Sequence, residues 1–587
     1  MKMKKWSLKK LYLGFDDAKF KEDLKKLDQL ILEINSQAID FKNYEKKTQK
    51  LERYLRNEMA LNDLIDKLYH FASLTTSVES TNQEANKMVN LLQTKLTQLT
   101  EIGTIFTKWM KDYPELEADM KKSDLLKEHA FYLKEIQEKS SHLLSTDLEV
   151  MVSKLRQTGS SSWGRLQSLL TSTLDVEYDG KTITLSEVRN LATDKNPEVR
   201  RKAYLAELKS YEKIQDSIAF ALNSIKGEVN TLSKARGYDS PLDQALNNSR
   251  MEKKTLEAMQ SAVVKYYDIF RQYLQRKAKL LGHDKGLPFY DLFAPIGEND
   301  TTFTIEEANA YILKNFKTFS PKLHDLAKRA FDEEWVDYTP RKGKRGGAFC
   351  ANIQAIKESR IMTNFTGSFS DMITLSHELG HAYHGDAIFG ESNLNSSYTM
   401  PVAETASTFC ETIVNNAAIK DVKTEEEKIY LLESSIQDYT QVVVDIMSRF
   451  IFEKSVFEGR EKTVFDAEEL KNLMIDAQKQ TYGEGLDENT LHPYMWICKP
   501  HYYSGGLSYY NFPYTYGLLF AKGLYAKYLE NKEEFVDVYD KLLAATGKMK
   551  VEEVAKLANI DVTKKAFWKS SLELLKKDIE LFLELTE

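Results

Sequence analysis

The chain has 587 residues, of which 42% are hydrophobic and 29% charged, so it is not a disordered chain and is long enough to bury a large core without covalent staples. Three cysteines exclude a disulfide framework and suit a reducing compartment. With 81 basic against 88 acidic residues and a formal net charge of −7, no electrostatic footprint for nucleic acid is present. The first residues are basic, but no apolar core and small-residue cleavage site follow, so no secretory signal is expected. No 18-residue apolar run occurs, so no membrane span is expected and the cytoplasm is the default location.

In chain order, helix breakers are absent from most of the stretch between Gly14 and Gly103, and no proline precedes Pro114. Apolar residues recur there at three- and four-residue spacing, as in Leu27, Leu30, Ile31 and Ile34, which predicts long amphipathic helices in an antiparallel bundle. A second helical region is expected over 115–160. The run Val176–Leu185, with Asp179-Gly180 at its centre, reads as a β-hairpin. Helical patterning resumes at Ser186, breaks at Asn196-Pro197 and continues to about Gly282. A looser stretch spans 283–300, and 304–333 is helical again. Two β-like runs, Ala348–Ile353 and Arg360–Phe365, follow a glycine-rich basic turn. Beyond them the chain is helical almost to its end, apart from loops near 385–401 and 483–506. These elements predict a mainly α fold, with an N-terminal helical region over 1–185 and a second region over 186–587.

The chemistry concentrates in the segment from Asp371 to Gly385, which contains His377-Glu378-Leu379-Gly380-His381. On a helix His377 and His381 lie one turn apart on the same face, where two imidazoles can reach one zinc ion. Glu378 lies about 100° round the helix, placed to hold and deprotonate an attacking water. Met372, Ile373, Leu375, Leu379 and Ala382 supply a buried face. Ser370 and Asp371 offer capping groups, and Gly385 can end the helix. The plain alternative is an amphipathic helix with two polar-face histidines.

Catalytic zinc takes three protein ligands and keeps one position open. Glu404 is the preferred third ligand, because Pro401 suits a first helical position and the helix dipole favours an ionised carboxylate in the first turn. Glu411 is its rival and alternatively a hydrogen-bond partner of a ligand histidine, or a solvated acid. Glu391 sits in a loop and is not favoured. His384 shares the histidine face but fits no third-histidine pattern, so packing or cleft lining is expected of it.

Arg360–Phe365 is expected as a sheet edge bordering a cleft, to which an extended peptide can add by backbone hydrogen bonds. Near the C-terminus an aromatic segment runs from His492 to Gly517. Peptide hydrolysis needs donors aimed at a developing oxyanion, and a tyrosine hydroxyl or histidine N–H can serve. Tyr510 and Tyr514 are one turn apart if this stretch is helical, and His501 precedes the flexible Gly505-Gly506 pair. An aromatic core patch is the bland reading.

Together, His377-Glu378-Leu379-Gly380-His381-Ala382-Tyr383-His384, Val402-Ala403-Glu404-Thr405-Ala406-Ser407 and the segment from His501 to Gly517 resemble the M3 family of zinc metallopeptidases, oligoendopeptidase F branch. Arg345–Phe349 and Ile361–Phe365 resemble the same branch. The resemblance implies a helical body split by a deep channel, with a small sheet beside the metal-binding helix and one zinc ion at the bottom. It implies His377, His381 and Glu404 as zinc ligands and Glu378 as general base. His501 with one or more of Tyr503, Tyr510 and Tyr514 would stabilise the oxyanion or the substrate. The implied activity is hydrolysis of internal bonds in unfolded oligopeptides. The alternative is a catalytically silent peptide-binding protein using the same channel.

Overall fold

The computed structural model describes residues 4–297 and 301–587. Residues 1–3 and the last three residues of the looser 283–300 stretch lie outside the described residues. The fold is mainly α. The stretch poor in helix breakers forms helices Ala18–Ser36, Lys47–Val78, Gln83–Thr97 and Thr100–Lys111. The first packs on the second and the second on the third. In the first helix Phe20, Leu27, Ile31 and Ile34 form the buried stripe that the spacing predicts, with Leu30 half-exposed at its edge. The region expected as helical over 115–160 is broken into short helices, Leu116–Met120, Asp124–Glu128, Ala130–Ser140 and Thr146–Thr158. Ser123 restarts the chain by capping Leu126 N with its hydroxyl.

The hairpin consists of antiparallel strands β1 (Asp175–Tyr178) and β2 (Lys181–Thr184). Its two-residue turn has positive φ at both Asp179 and Gly180, which matches the twist of the strands. Thr184 and Glu187 then form a capping box for the next helix. At the Asn196-Pro197 break the Asn196 side chain caps helix Pro197–Tyr211.

A three-stranded sheet contains β3 (Val336–Asp337), β4 (Phe349–Ile353) and β5 (Glu358–Met362), in the order β3-β5-β4. β5 pairs parallel with β3 and antiparallel with β4. The strand expected as an edge, Arg360–Phe365, is therefore the central one and also starts and ends earlier than expected; the outer strands are β3 and β4. The short strand at Val336-Asp337 was not legible in the sequence, and it takes up the second side of β5.

This sheet is the seam between two hydrophobic cores. One core gathers apolar side chains from Trp6 to Leu133, together with Ile353, Met362 and Leu394. The larger one runs from Leu174 to Phe582 and includes Ile361. Adjacent residues on a strand point to opposite faces, so Ile361 enters the larger core and Met362 the N-terminal one. Helix Phe369–Ile388 packs on β4 and β5 and against helix Thr405–Asp421. The sheet thus fixes where the His377-Glu378 helix sits relative to the N-terminal bundle.

Candidate metal centre and active-site cleft

Helix Phe369–Ile388 starts two residues earlier than a Ser370 cap would place it. Its N-cap is Ser368, in a capping box with Asp371, and Ser370 is not the cap. The Asp371 carboxylate also accepts from the backbone N–H groups of Thr366 and Gly367 at 2.8 and 3.0 Å. The helix does not end at Gly385 but runs on to Ile388. Gly385 serves close packing instead: a Cβ there would lie 2.4 Å from the Asn352 side chain of β4. Asn352 Nδ2 donates to the His381 carbonyl at 3.1 Å, tying strand to helix. Gly380, inside the motif, faces the partner helix. A Cβ there would lie 2.5 Å from both the Ala406 carbonyl oxygen and Ser407 Cα. That close approach brings the next helix, and Glu404 with it, up to the two histidines.

Glu404 lies at the junction between a short helix, Met400–Ala403, and helix Thr405–Asp421, rather than in the first turn of one continuous helix. Among the described residues, His377, His381 and Glu404 form the one group of three ligating side chains with all donor atoms within 4.8 Å of one another. His377 Nε2 is 3.2 Å and His381 Nε2 3.4 Å from Glu404 Oε2. The two imidazole Nε2 atoms are 3.1 Å apart. Ser407 donates to Glu404 Oε2 at 2.8 Å. Glu411 does not join the cluster; its Oε1 is 2.8 Å from His377 Nδ1, on the far side of the ring. That contact fixes the tautomer which presents Nε2 to a cation. Glu391 is elsewhere, paired with Lys548 at 2.6 Å. His384 is fully buried, with Nε2 2.8 Å from Thr546 Oγ1 and its ring stacked 4.2 Å from Tyr398. It is a packing residue.

The titratable groups of the cluster shift one another strongly. Burial works to raise the Glu404 carboxyl, but His377, His381 and Ser407 outweigh it and hold it at about 2. Burial opposes charge on His377, yet Glu404 and Glu411 together raise it well above the usual imidazole value. His381, buried and facing a charged His377, is lowered to about 4. Glu378 is buried, and burial raises it to about 7. Its Oε2 has no hydrogen-bond partner. Two imidazoles and a carboxylate converging on one point are the donor set that suits zinc, and protons now held there leave when a cation binds.

The aromatic segment meets the same cleft. Tyr514 lines a cavity of about 460 Å³ together with His377, Glu404, Thr408 and Glu411. Its hydroxyl is 2.6 Å from that of Tyr510. Tyr510 is not helical as expected, since the helix Phe512–Glu530 begins two residues later; the two rings still meet. Asn511 Nδ2 donates to His501 Nε2 at 2.8 Å, which leaves the imidazole proton on Nδ1. The His501 ring also stacks on Tyr510 at 5.6 Å. Tyr503 is not part of this group: it is buried and donates to the Trp496 carbonyl at 2.9 Å. Tyr509, which the sequence reading passed over, is clamped between Phe450 and Phe457 with φ of 53°. This left-handed backbone turns Tyr510 toward Tyr514.

The protein-family comparison matches residues 190–574 to peptidase family M3 and residues 106–175 to Oligopeptidase F. The chain belongs to peptidase family M3. Within the family it sides with the oligoendopeptidase F branch. It is 25% identical over 447 residues to Oligopeptidase PepF of Bacillus subtilis, a match spanning 75% of this chain and 66% of that protein. It is 23% identical to an Oligoendopeptidase F homolog of Lactococcus lactis, over 90% of this chain and 89% of the relative. The fold is shared with a putative peptidase from Chlamydophila abortus, with a TM-score of 0.84, 20% identity and coverage of 99% and 98% of the two chains. M3 membership makes the chain a metallopeptidase by family, and His377, His381 and Glu404 are the group among the described residues that could hold a metal ion. Ser407, Asn511, Tyr509 and Gly380 are the contributors that sequence reasoning missed. Only Gly380 left a signal, as a glycine inside a strongly helical run.

Proposed function

We propose that this M3 peptidase is a zinc-dependent endopeptidase of unfolded oligopeptides, with His377, His381 and Glu404 holding one zinc ion and Glu378 as general base. The observation that carries it is the convergence of two imidazoles and a carboxylate beside a buried carboxylate with a free oxygen. Zinc in that site supplies a Lewis acid that polarises the scissile carbonyl and acidifies water. Glu378 takes the proton of the attacking water as its oxygen bonds to the carbonyl carbon. The same carboxyl, raised toward neutrality by burial, gives that proton to the departing amine as the C–N bond breaks. With Tyr510 as donor in the tyrosine pair, Tyr514 keeps its own proton for the developing oxyanion. His501 steadies Tyr510 through the ring stack.

An extended substrate is placed along β4, the outer strand beside the metal-site helix. A cavity of about 650 Å³ continues past Tyr510, walled by Tyr398 and Met400, by Glu135 and Lys139 of helix Ala130–Ser140 and by His142 just beyond it. Walls from both cores around the cleft favour flexible peptides over folded proteins. No helix among the described residues is long and apolar enough to cross a membrane. The test is mass spectrometry of a peptide ladder from about five to forty residues, with and without chelator. Chelator-sensitive internal cuts confined to shorter peptides support the reading. Trimming of termini alone moves the chain to exopeptidases, and peptide binding without cleavage makes it a silent peptide binder.

A further inference from the structure

A second cavity, of about 350 Å³, adjoins the metal-side cavity: Gln441 lines both. Gln441 opens a π-helical turn, Gln441–Asp445, a departure from α geometry that recurs at functional sites. The wall of this second cavity carries four cationic side chains, Arg189, Arg200, Arg449 and Lys499. Three are already matched. Arg189 pairs with Glu207 and Arg449 with Asp445. Arg200 binds Asp291 at 2.7 Å, with both side chains buried. Lys499 differs. Among the described residues its ammonium has neither a carboxylate within ion-pair distance nor a hydrogen-bond acceptor.

A half-buried, unmatched ammonium is costly, and a single ligand carboxylate would offset that cost. Burial, with Arg449 nearby, holds the Lys499 pKa below the ordinary lysine value, as expected of a cation lacking its counter-ion. On the same wall His492 is buried and has no hydrogen-bond partner on either ring nitrogen, although Nε2 lies 3.4 Å from Glu207. Tyr204, Phe289 and Tyr290 supply aromatic faces for an apolar side chain. Lys499 is two residues from His501, whose ring stacks on Tyr510, the hydroxyl partner of the cavity-lining Tyr514.

We propose that this cavity is a substrate-carboxylate subsite, in which Lys499 pairs with a carboxylate of the peptide while the scissile bond lies at the metal-side cavity. The proposal rests on the peptidase reading above. The carboxylate has two possible sources, the α-carboxylate of the peptide or an acidic side chain near the cut.

Three matched peptides separate them: a free acid, its C-terminal amide, and the amide with glutamate as last residue. For the wild type, kcat/KM on at least one carboxylate-bearing peptide is expected to exceed that on the plain amide by roughly tenfold or more. Preference for the free acid alone names the α-carboxylate; an equal gain from glutamate names the side chain. Lys499→Met is expected to collapse the preference through KM, and Lys499→Arg to keep part of it. Equal cleavage of all three by the wild type overturns the subsite, as does a preference that survives in Lys499→Met. Calorimetric binding of the same peptides to metal-free wild-type protein ranks them without cleavage. An intact binding ranking together with no cleavage of the three peptides by the zinc-loaded wild type counts against the peptidase reading alone, whereas a flat ranking overturns the subsite.

Discussion

The metal cluster and the His501–Tyr514 segment face one cleft but are held in different ways. His377, Glu378 and His381 sit on a single helix, braced by β4 on one side and by helix Thr405–Asp421 on the other. Each proposed ligand has a neighbour that holds it: Glu411 for His377, the Asn352 contact at the His381 backbone, and Ser407 for Glu404. His501 and Tyr510 instead lie on a 3₁₀ turn and a loop, and only Tyr514 lies on a helix. Their positions depend on Asn511, on the Tyr510–Tyr514 hydroxyl contact and on the strained backbone at Tyr509. The proposed cation site is built on rigid elements braced by neighbouring side chains. The proposed oxyanion side is built on a segment that side chains hold together.

Changes on the rigid side test this contrast most severely. Glu378→Gln is expected to lower kcat/KM by at least about 10³-fold while metal content stays at the wild-type level. Activity within tenfold of wild type would exclude Glu378 as the base. On the aromatic side Tyr514→Phe is expected to lower kcat by roughly 10²-fold or more with little change in KM, and Tyr510→Phe by less. The reverse ranking would put Tyr510, not Tyr514, at the oxyanion. Glu411→Gln is expected to weaken metal affinity by about 10–100-fold, measured by chelator competition, because His377 loses its orienting partner. The smallest effect is expected at His501. Burial and the nearby Arg449, Lys226 and Lys499 lower its pKa to about 3, well below the ordinary imidazole value. The ring is therefore neutral throughout the range above about pH 4, and its ionisation is absent from the activity profile there. His501→Gln should cost about tenfold in rate and leave the acidic limb of that profile where it was. A shifted limb would mean that His501 titrates during turnover.

The same contrast decides what was legible in the sequence. A fixed helical repeat converts spacing into geometry, so His377, Glu378 and His381 could be placed from the residues, and Glu404 followed from a new helical run. The details that failed were those set by tertiary contact. Gly385 looked like a terminator, because only the folded structure shows the Asn352 side chain it must admit. Arg360–Phe365 looked like an edge strand, because the two-residue β3 that covers its second side has no sequence pattern of its own. The tyrosines were the least legible. Tyr503, Tyr509, Tyr510 and Tyr514 are chemically identical, and loop geometry turns the first two into anchors and presents only Tyr514 to the metal-side cavity. In the N-terminal region the periodicity gave the long helices but not the breaks after Pro114, where the Ser123 cap restarts the chain.

The most direct test of the central claim is a zinc titration of metal-free protein, following bound metal and internal peptide cleavage in the same samples, for wild type and Glu404→Ala. Activity of the wild type should return in proportion to bound zinc and saturate at one ion per chain, whereas Glu404→Ala should bind zinc more weakly by about 10²-fold or more and recover little activity. Cleavage by the metal-free wild type, or full recovery by Glu404→Ala at one zinc per chain, would contradict the assignment of His377, His381 and Glu404 as the working metal site.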